Sequence, residues 1–206
     1  MTEYLQNLDL SPYKENICIL GAAQHGKTTQ AINLAKMLIA NFFNVIIHDF
    51  HCRFTTLNPF SVKRFLHELT GIGLEIFQPP IRTREEFDNF CAKVLTFRNT
   101  VAIIDELHNY CEKNSHPKNL KLLFENCNNR SIGYVAILQR PAEVPNFVLS
   151  NSTHRYCLYL DLPTDIVYMK KWIGKDVENF ANDSIPKFEG IYKKVGEKSK
   201  RFRVER

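Results

Sequence analysis

Nine consecutive residues, Gly21, Ala22, Ala23, Gln24, His25, Gly26, Lys27, Thr28 and Thr29, carry the strongest chemical signal in the chain. The first eight fit G-x-x-x-x-G-K-[ST], a loop whose backbone N–H groups and following helix N-terminus form a concave site for nucleotide phosphates. There Lys27 reaches the β- and γ-phosphates and the Thr28 hydroxyl holds Mg²⁺. Hydrolysis needs, in addition, a group that activates water. Asp105 and Glu106 follow the apolar run VAII at 101–104. Asp105 supplies a carboxylate for the Mg²⁺ shell, opposite Thr28 and reaching the ion through water, and Glu106 a general base. Gln139 ends the next apolar run and can contact the γ-phosphate or the attacking water, or cap neighbouring backbone. Phosphoryl transfer also profits from a guanidinium that meets the developing charge. Arg155 and Arg140 are the two candidates, and each could equally be an ordinary ion-pair residue.

These groups act together only if the chain brings them to one place. The run ICIL at 17–20 predicts a strand buried on both faces, delivering the phosphate loop. Ala31, Leu34, Ala35 and Leu38 recur at helical spacing, so a helix follows to about residue 40. Further strands are predicted at 45–47, 74–77, 101–104, 134–138 and 154–160. Thr83 and Glu86 form a capping box ahead of Phe87, Phe90, Cys91, Val94 and Leu95, the clearest helix in the chain. Shorter helical stretches are expected at 120–124 and 145–149, and a longer one at 163–173. Between 60 and 70, Val62, Phe65, Leu66 and Leu69 point to a helix closed by Gly71 and Gly73. Segments 188–192 and 201–204, either side of Gly196 and Glu197, read as a β-hairpin. Strands alternating with helices imply an α/β fold: a mainly parallel central sheet, helices on both faces, and a C-terminal β-hairpin. The carboxyl ends of parallel strands share one edge, which would gather the loop at 21–28, Asp105, Glu106 and Gln139.

With 206 residues, 44% of them hydrophobic, the chain suffices for a single domain spanning 1–206, with its core at 15–175 and a basic hairpin or tail at 186–206. No apolar run reaches membrane-span length and the start lacks signal-peptide character, so an intracellular protein without stable membrane insertion is expected. Six cysteines without a C-x-x-C pair suit reduced thiols. Neither His108, Cys111, His116 and Cys127 nor His48, His51 and Cys52 match a zinc-ligand spacing. Charge is uneven: residues 193–206 hold seven basic and two acidic side chains, which accounts for the whole formal charge of +5. Such an end attracts a polyanion or is simply solvated.

The order GAAQHGKTT, VAIIDE, AILQRP and then a strand beginning at Arg155 is similar to the FtsK-HerA superfamily of DNA-pumping ATPases, over roughly residues 15–175. Within that superfamily the chain most resembles the genome-packaging ATPases of tailless icosahedral viruses with an internal membrane, the Sulfolobus turreted type in particular. The resemblance implies a RecA-like P-loop NTPase sheet, Walker A at 21–28, Walker B at 101–106 with adjacent catalytic Glu106, and a glutamine sensor at Gln139. It implies ATP with Mg²⁺ as cofactors, and a ring, commonly hexameric, around double-stranded DNA. The family segment N-x-x-x-R, which places an arginine near the subunit boundary, is matched by Asn151 and Arg155. It further implies sequence-independent DNA driven into a preformed capsid, docking on capsid or inner-membrane vertex proteins, and a place in the infected host's cytoplasm or at the virion vertex. Because residues 1–192 are formally neutral, DNA contacts must come from local clusters. Lys113, Lys118, Lys121 and Arg130, after the Asp-Glu pair, are the first candidates, and the basic hairpin the second. Gln24 and His25 depart from the family's glycine-serine and would stiffen the loop, and no counterpart of the family's separate DNA-orienting domain is expected within these residues. Zinc-containing thymidine kinases share the G-x-x-x-x-G-K-T-T and I-D-E motifs, but their paired cysteines and an L-Q-R-P strand end are not shared. A non-hydrolysing, nucleotide-dependent assembly module is a third reading, and Glu106 argues against it.

Overall fold

The computed structural model of the chain describes residues 16–126, 129, 131–182 and 186–205. Its strands are β1 (Ile17–Leu20), β2 (Asn44–His48), β3 (Val62–Lys63), β4 (Leu74–Phe77), β5 (Thr100–Ile104), β6 (Ile132–Leu138), β7 (His154–Leu158), β8 (Glu189–Lys194) and β9 (Lys200–Arg203). The α-helices are α1 (Lys27–Ala40), α2 (Arg84–Val94), α3 (Lys118–Asn126), α4 (Asn146–Ser150) and α5 (Pro163–Ile173). Among the described residues these strands form one sheet in the order β3-β4-β2-β5-β6-β1-β7-β8-β9. All pairings from β3 to β7 are parallel, and β8 and β9 close the far edge antiparallel.

The apolar runs behave as strands covered on both faces should. Along β1, Cys18 and Leu20 join a core with α2 to α5, while Ile17 and Ile19 join a core with α1. In β5, Ala102 and Ile104 face the first core, Val101 and Ile103 the second. The period of two thus splits each strand between two helical layers. Thr83 caps α2 by accepting from the Glu86 N–H at 3.1 Å, and Phe87, Phe90, Cys91 and Val94 are buried beneath it.

The helix expected around 62–69 does not form. Asn58 Oδ1 accepts from Phe60 N–H (3.0 Å) to start a 3₁₀ turn at Pro59–Ser61; β3 follows, then a second turn at Leu66–Glu68. The periodic apolar positions are shared between the two cores instead of one face: half-buried Val62 packs against the core with α1, half-buried Leu66 and buried Leu69 against the other, and Phe65 is exposed. Pairing of β3 with β4 and the Glu75 carboxylate, which accepts from the N–H groups of Thr70 and Gly71, hold the segment instead. The C-terminal hairpin forms with boundaries close to those expected. Cys18, Cys52, Cys91, Cys111 and Cys157 are free thiols, and Cys127 lies outside the described residues. Among the described residues no helix is long and apolar enough to cross a membrane, and no His, Cys, Asp and Glu cluster could hold a metal ion unaided.

Candidate active site

Parallel pairing brings the carboxyl ends of β1, β2, β5, β6 and β7 to one edge. β6 lies between β5 and β1, so Gln139 stands between the Asp105–Glu106 pair and the phosphate loop. The loop is seated from both sides: Gly21 N–H donates to Leu138 O (3.2 Å) and Ala22 N–H to Tyr159 O (2.7 Å). A Cβ on Gly21 would meet Leu158 Cβ at 2.9 Å, so β7 admits only glycine there. Gly26 opens α1 with φ +100°, and its missing side chain makes room for the ring of Phe188, 2.7 Å from where a Cβ would sit. Gln24 takes a left-handed conformation (φ +62°), and His25 stacks on Tyr159 with ring centroids 4.7 Å apart. The glutamine is therefore accommodated at the expense of backbone strain of order 1 kcal/mol.

Lys27 is buried, and its ammonium donates to Gly21 O (2.8 Å) and Ala22 O (2.9 Å). Burial lowers its pKa to about 8, against the pull of the Glu106 and Asp105 charges. A cation folded back onto the rim of an anion cradle is positioned to swing outward to a phosphate.

Asp105 is fully buried, and among the described residues neither carboxylate oxygen has a hydrogen-bond partner. Burial, then the charges of Glu106 and Asp49, raise its pKa to about 7. Two buried, unpartnered oxygens at the sheet edge that carries the phosphate loop fit a divalent cation, whose charge would offset that desolvation.

Glu106 is buried in a left-handed conformation (φ 51°, ψ 45°) that turns it off the end of β5. Its Oε1 accepts from Gln139 Nε2 at 2.9 Å, and His51 Nε2 lies 3.7 Å from the same oxygen. His108 Nδ1 is 3.4 Å from Oε2, but burial holds this imidazole below its ordinary pKa. Neutral, its Nδ1 accepts from the Gln139 backbone N–H (3.5 Å) and has no proton for the carboxylate. One oxygen of Glu106 is thus anchored and the other is bare, the arrangement a general base needs.

Asp49, at the end of β2, is buried and accepts from Arg53 N–H (2.9 Å), Phe54 N–H (3.1 Å) and Gln78 Nε2 (2.9 Å), which fixes the loop carrying His51. The sequence pointed to neither His51 nor His108 as a neighbour of the base. The usable signal was position, since each follows a buried strand that ends at this edge.

No protein-family model and no curated protein matches the chain. Solved structures match it in fold. The genome packaging NTPase B204 of Sulfolobus turreted icosahedral virus 2, in complex with ATPγS, superposes with a TM-score of 0.80 at 13% identity, over 94% of this chain and 98% of that one. B204, the DNA-packaging ATPase of Sulfolobus turreted icosahedral virus, gives 0.78 at 16% identity over 96% and 100%. VirB4 of Thermoanaerobacter pseudethanolicus gives 0.67 at 12% identity over 93% and 89%. The fold is that of the P-loop ATPases.

On this P-loop ATPase fold, Lys27, Thr28, Asp105, Glu106 and Gln139 meet at one edge, and Arg155 does not join them. Arg155 pairs with Cys18 near the amino end of β7, away from the loop. It is 6% exposed, donates to Leu149 O (2.8 Å) and Trp172 O (3.4 Å), and lies 5.1 Å from the Trp172 ring centroid. The guanidinium is thus enclosed by its own chain and apart from the phosphate loop, a placement that does not match the expectation of an arginine finger at Arg155. Arg140 is at the correct edge and 40% exposed, and it pairs with Glu143 (2.6 Å) and Asp165 (3.3 Å). Lys113, Lys118 and Lys121 are exposed, with Lys121 3.8 Å from Glu125. Arg130 lies outside the described residues.

Proposed function

We propose that the chain is the ATPase of a viral genome-packaging motor, using ATP hydrolysis to drive double-stranded DNA into a preformed capsid. The observation that carries the hydrolytic half is Glu106, buried beside Asp105, anchored through one oxygen by Gln139 and bare at the other. The P-loop backbone and Lys27 bind the phosphates of ATP, and Glu106 takes a proton from the attacking water. Thr28 and Asp105 would hold Mg²⁺, which supplies charge neutralisation on the phosphates. Gln139 spans base and γ-phosphate, so loss of that phosphate changes what holds Glu106. Arg140 is the guanidinium left for the developing charge.

The packaging half is supported by likeness in fold to two B204 packaging enzymes that this chain matches over nearly their whole length. On this reading the chain works in the infected cell as a ring, of six subunits by family precedent, docked on capsid or inner-membrane vertex proteins. It grips DNA phosphates without reading sequence. Duplex DNA of arbitrary sequence should raise the ATPase rate of the purified protein. A rate indifferent to duplex, or phosphorylation of thymidine, would refute packaging.

A further inference from the structure

Basic side chains gather on the C-terminal hairpin, and this hairpin touches the phosphate loop. In β9, Phe202 points into the core with α1, while Lys200, Arg201 and Arg203 are exposed, as is Lys198 in the turn. Lys193 and Lys194 extend the charge onto β8. Among the described residues no carboxylate pairs with Lys198, Lys200 or Arg201, and Arg203 only approaches Glu189 at 4.0 Å. Among the described residues β9 is also the sheet's last strand, and its outer edge there presents backbone N–H groups beside these cations.

The base of the hairpin rests on the nucleotide site. Phe188, left-handed at φ 68°, lies against Gly26, and Val204 N–H donates to Phe188 O (2.8 Å). Val204 Cγ2 is 3.5 Å from where a Cβ on Gly26 would sit, and Asn33 of α1 donates to Glu205 O (3.0 Å). Both ends of the hairpin are thus fastened to the start of the phosphate-loop helix.

We propose that the outer edge of the β8–β9 hairpin is a duplex-DNA surface, bound through phosphates, whose grip responds to the nucleotide through the Phe188–Gly26 contact. That the polyanion is DNA rests on the packaging reading; that the surface is this one rests on charge and exposure. The lysines at 113, 118 and 121 contrast with it, since Lys121 has a carboxylate partner and nothing described links them to the loop.

The test compares wild type with Lys198→Glu/Lys200→Glu/Arg201→Glu and with Lys113→Glu/Lys118→Glu/Lys121→Glu. Binding of a labelled random-sequence duplex is followed by anisotropy across a salt series. Each phosphate contact contributes about 0.9 to the slope of log affinity against log salt. The hairpin variant should lose at least about tenfold in affinity and roughly 2 to 3 in slope, with its DNA-free ATPase rate and melting temperature unchanged. Wild-type-like duplex binding by that variant would overturn the assignment, as would preference of wild type for phosphatidylserine vesicles over duplex. A wild type that binds no duplex would instead refute packaging; heparin elution then judges the surface alone, and an unshifted hairpin variant rejects it. ATPγS with Mg²⁺ should change wild-type duplex affinity, and Phe188→Leu should keep the affinity but lose the change. Persistence of the change in Phe188→Leu would reject the route through Gly26.

Discussion

If Asp105 holds the Mg²⁺ of a bound nucleotide, as proposed, nucleotide binding should answer to pH. The Asp105 carboxyl is held at about 7 against an ordinary 3.8. Below pH 3.8 the folded and unfolded chains both keep this proton and stability is indifferent to it. Between 3.8 and 7 the unfolded chain gives the proton up first, so stability falls as pH rises, by roughly 4 kcal/mol in all. On the proposed reading, Mg²⁺ at Asp105 would require the ionised form and would have to displace the proton below pH 7. With a pKa of about 7, the ionised fraction is about tenfold smaller at pH 6 than at pH 8. Affinity for ATPγS with Mg²⁺ should therefore weaken about tenfold, or roughly 1.4 kcal/mol, over that range. The same titration in Asp105→Asn separates this effect from protonation of the nucleotide's own phosphate. Calorimetric titration at pH 6, 7 and 8 measures both. Coincident pH profiles for wild type and Asp105→Asn would refute the reasoning.

Three further outcomes follow from contacts in the structure. Glu106→Gln should bind ATPγS as wild type does but hydrolyse ATP about 10² to 10⁴ times more slowly in single turnover, and an unchanged rate would remove Glu106 as the base. Arg155→Ala should lower stability by about 2–4 kcal/mol, seen as a melting temperature lower by roughly 5–15 °C, while folded molecules still hydrolyse ATP. A stable but inactive Arg155→Ala would restore a catalytic role. Gly190→Ala would place a Cβ 2.5 Å from Cys157 O and 2.7 Å from Phe202 Cε1, so a loss of about 1–3 kcal/mol in urea unfolding is expected.

The parts of this molecule legible in its sequence are those where one residue type has one physical use. The phosphate loop, the Asp-Glu pair after a buried strand, and the Thr83 cap belong to this class, and the sheet followed from apolar runs too short for helices. The helix expected at 62–69 fails because periodicity reports which side chains could share a face and not which core each one meets: Val62 packs on one side of the sheet, Leu66 and Leu69 on the other. Arg155 stands apart from the loop for a related reason: a strand's first residues lie away from the edge that its last residues build, and order along the chain conceals that distance. The histidines beside Glu106 come from loops after two neighbouring strands, β2 and β5, a proximity created only by the strand order.

Glu106 holds a backbone conformation that an L-residue adopts at a penalty of order 1–2 kcal/mol. Glycine would relieve that penalty, and a selection that scored folding alone would drift toward Glu106→Gly. On the proposed reading such a molecule would fold as well as the present one and hydrolyse ATP far more slowly. If Glu106 is the base, fitness for hydrolysis and fitness for folding pull in opposite directions at this turn, and a screen for heat-resistant variants that ignores turnover should recover its loss.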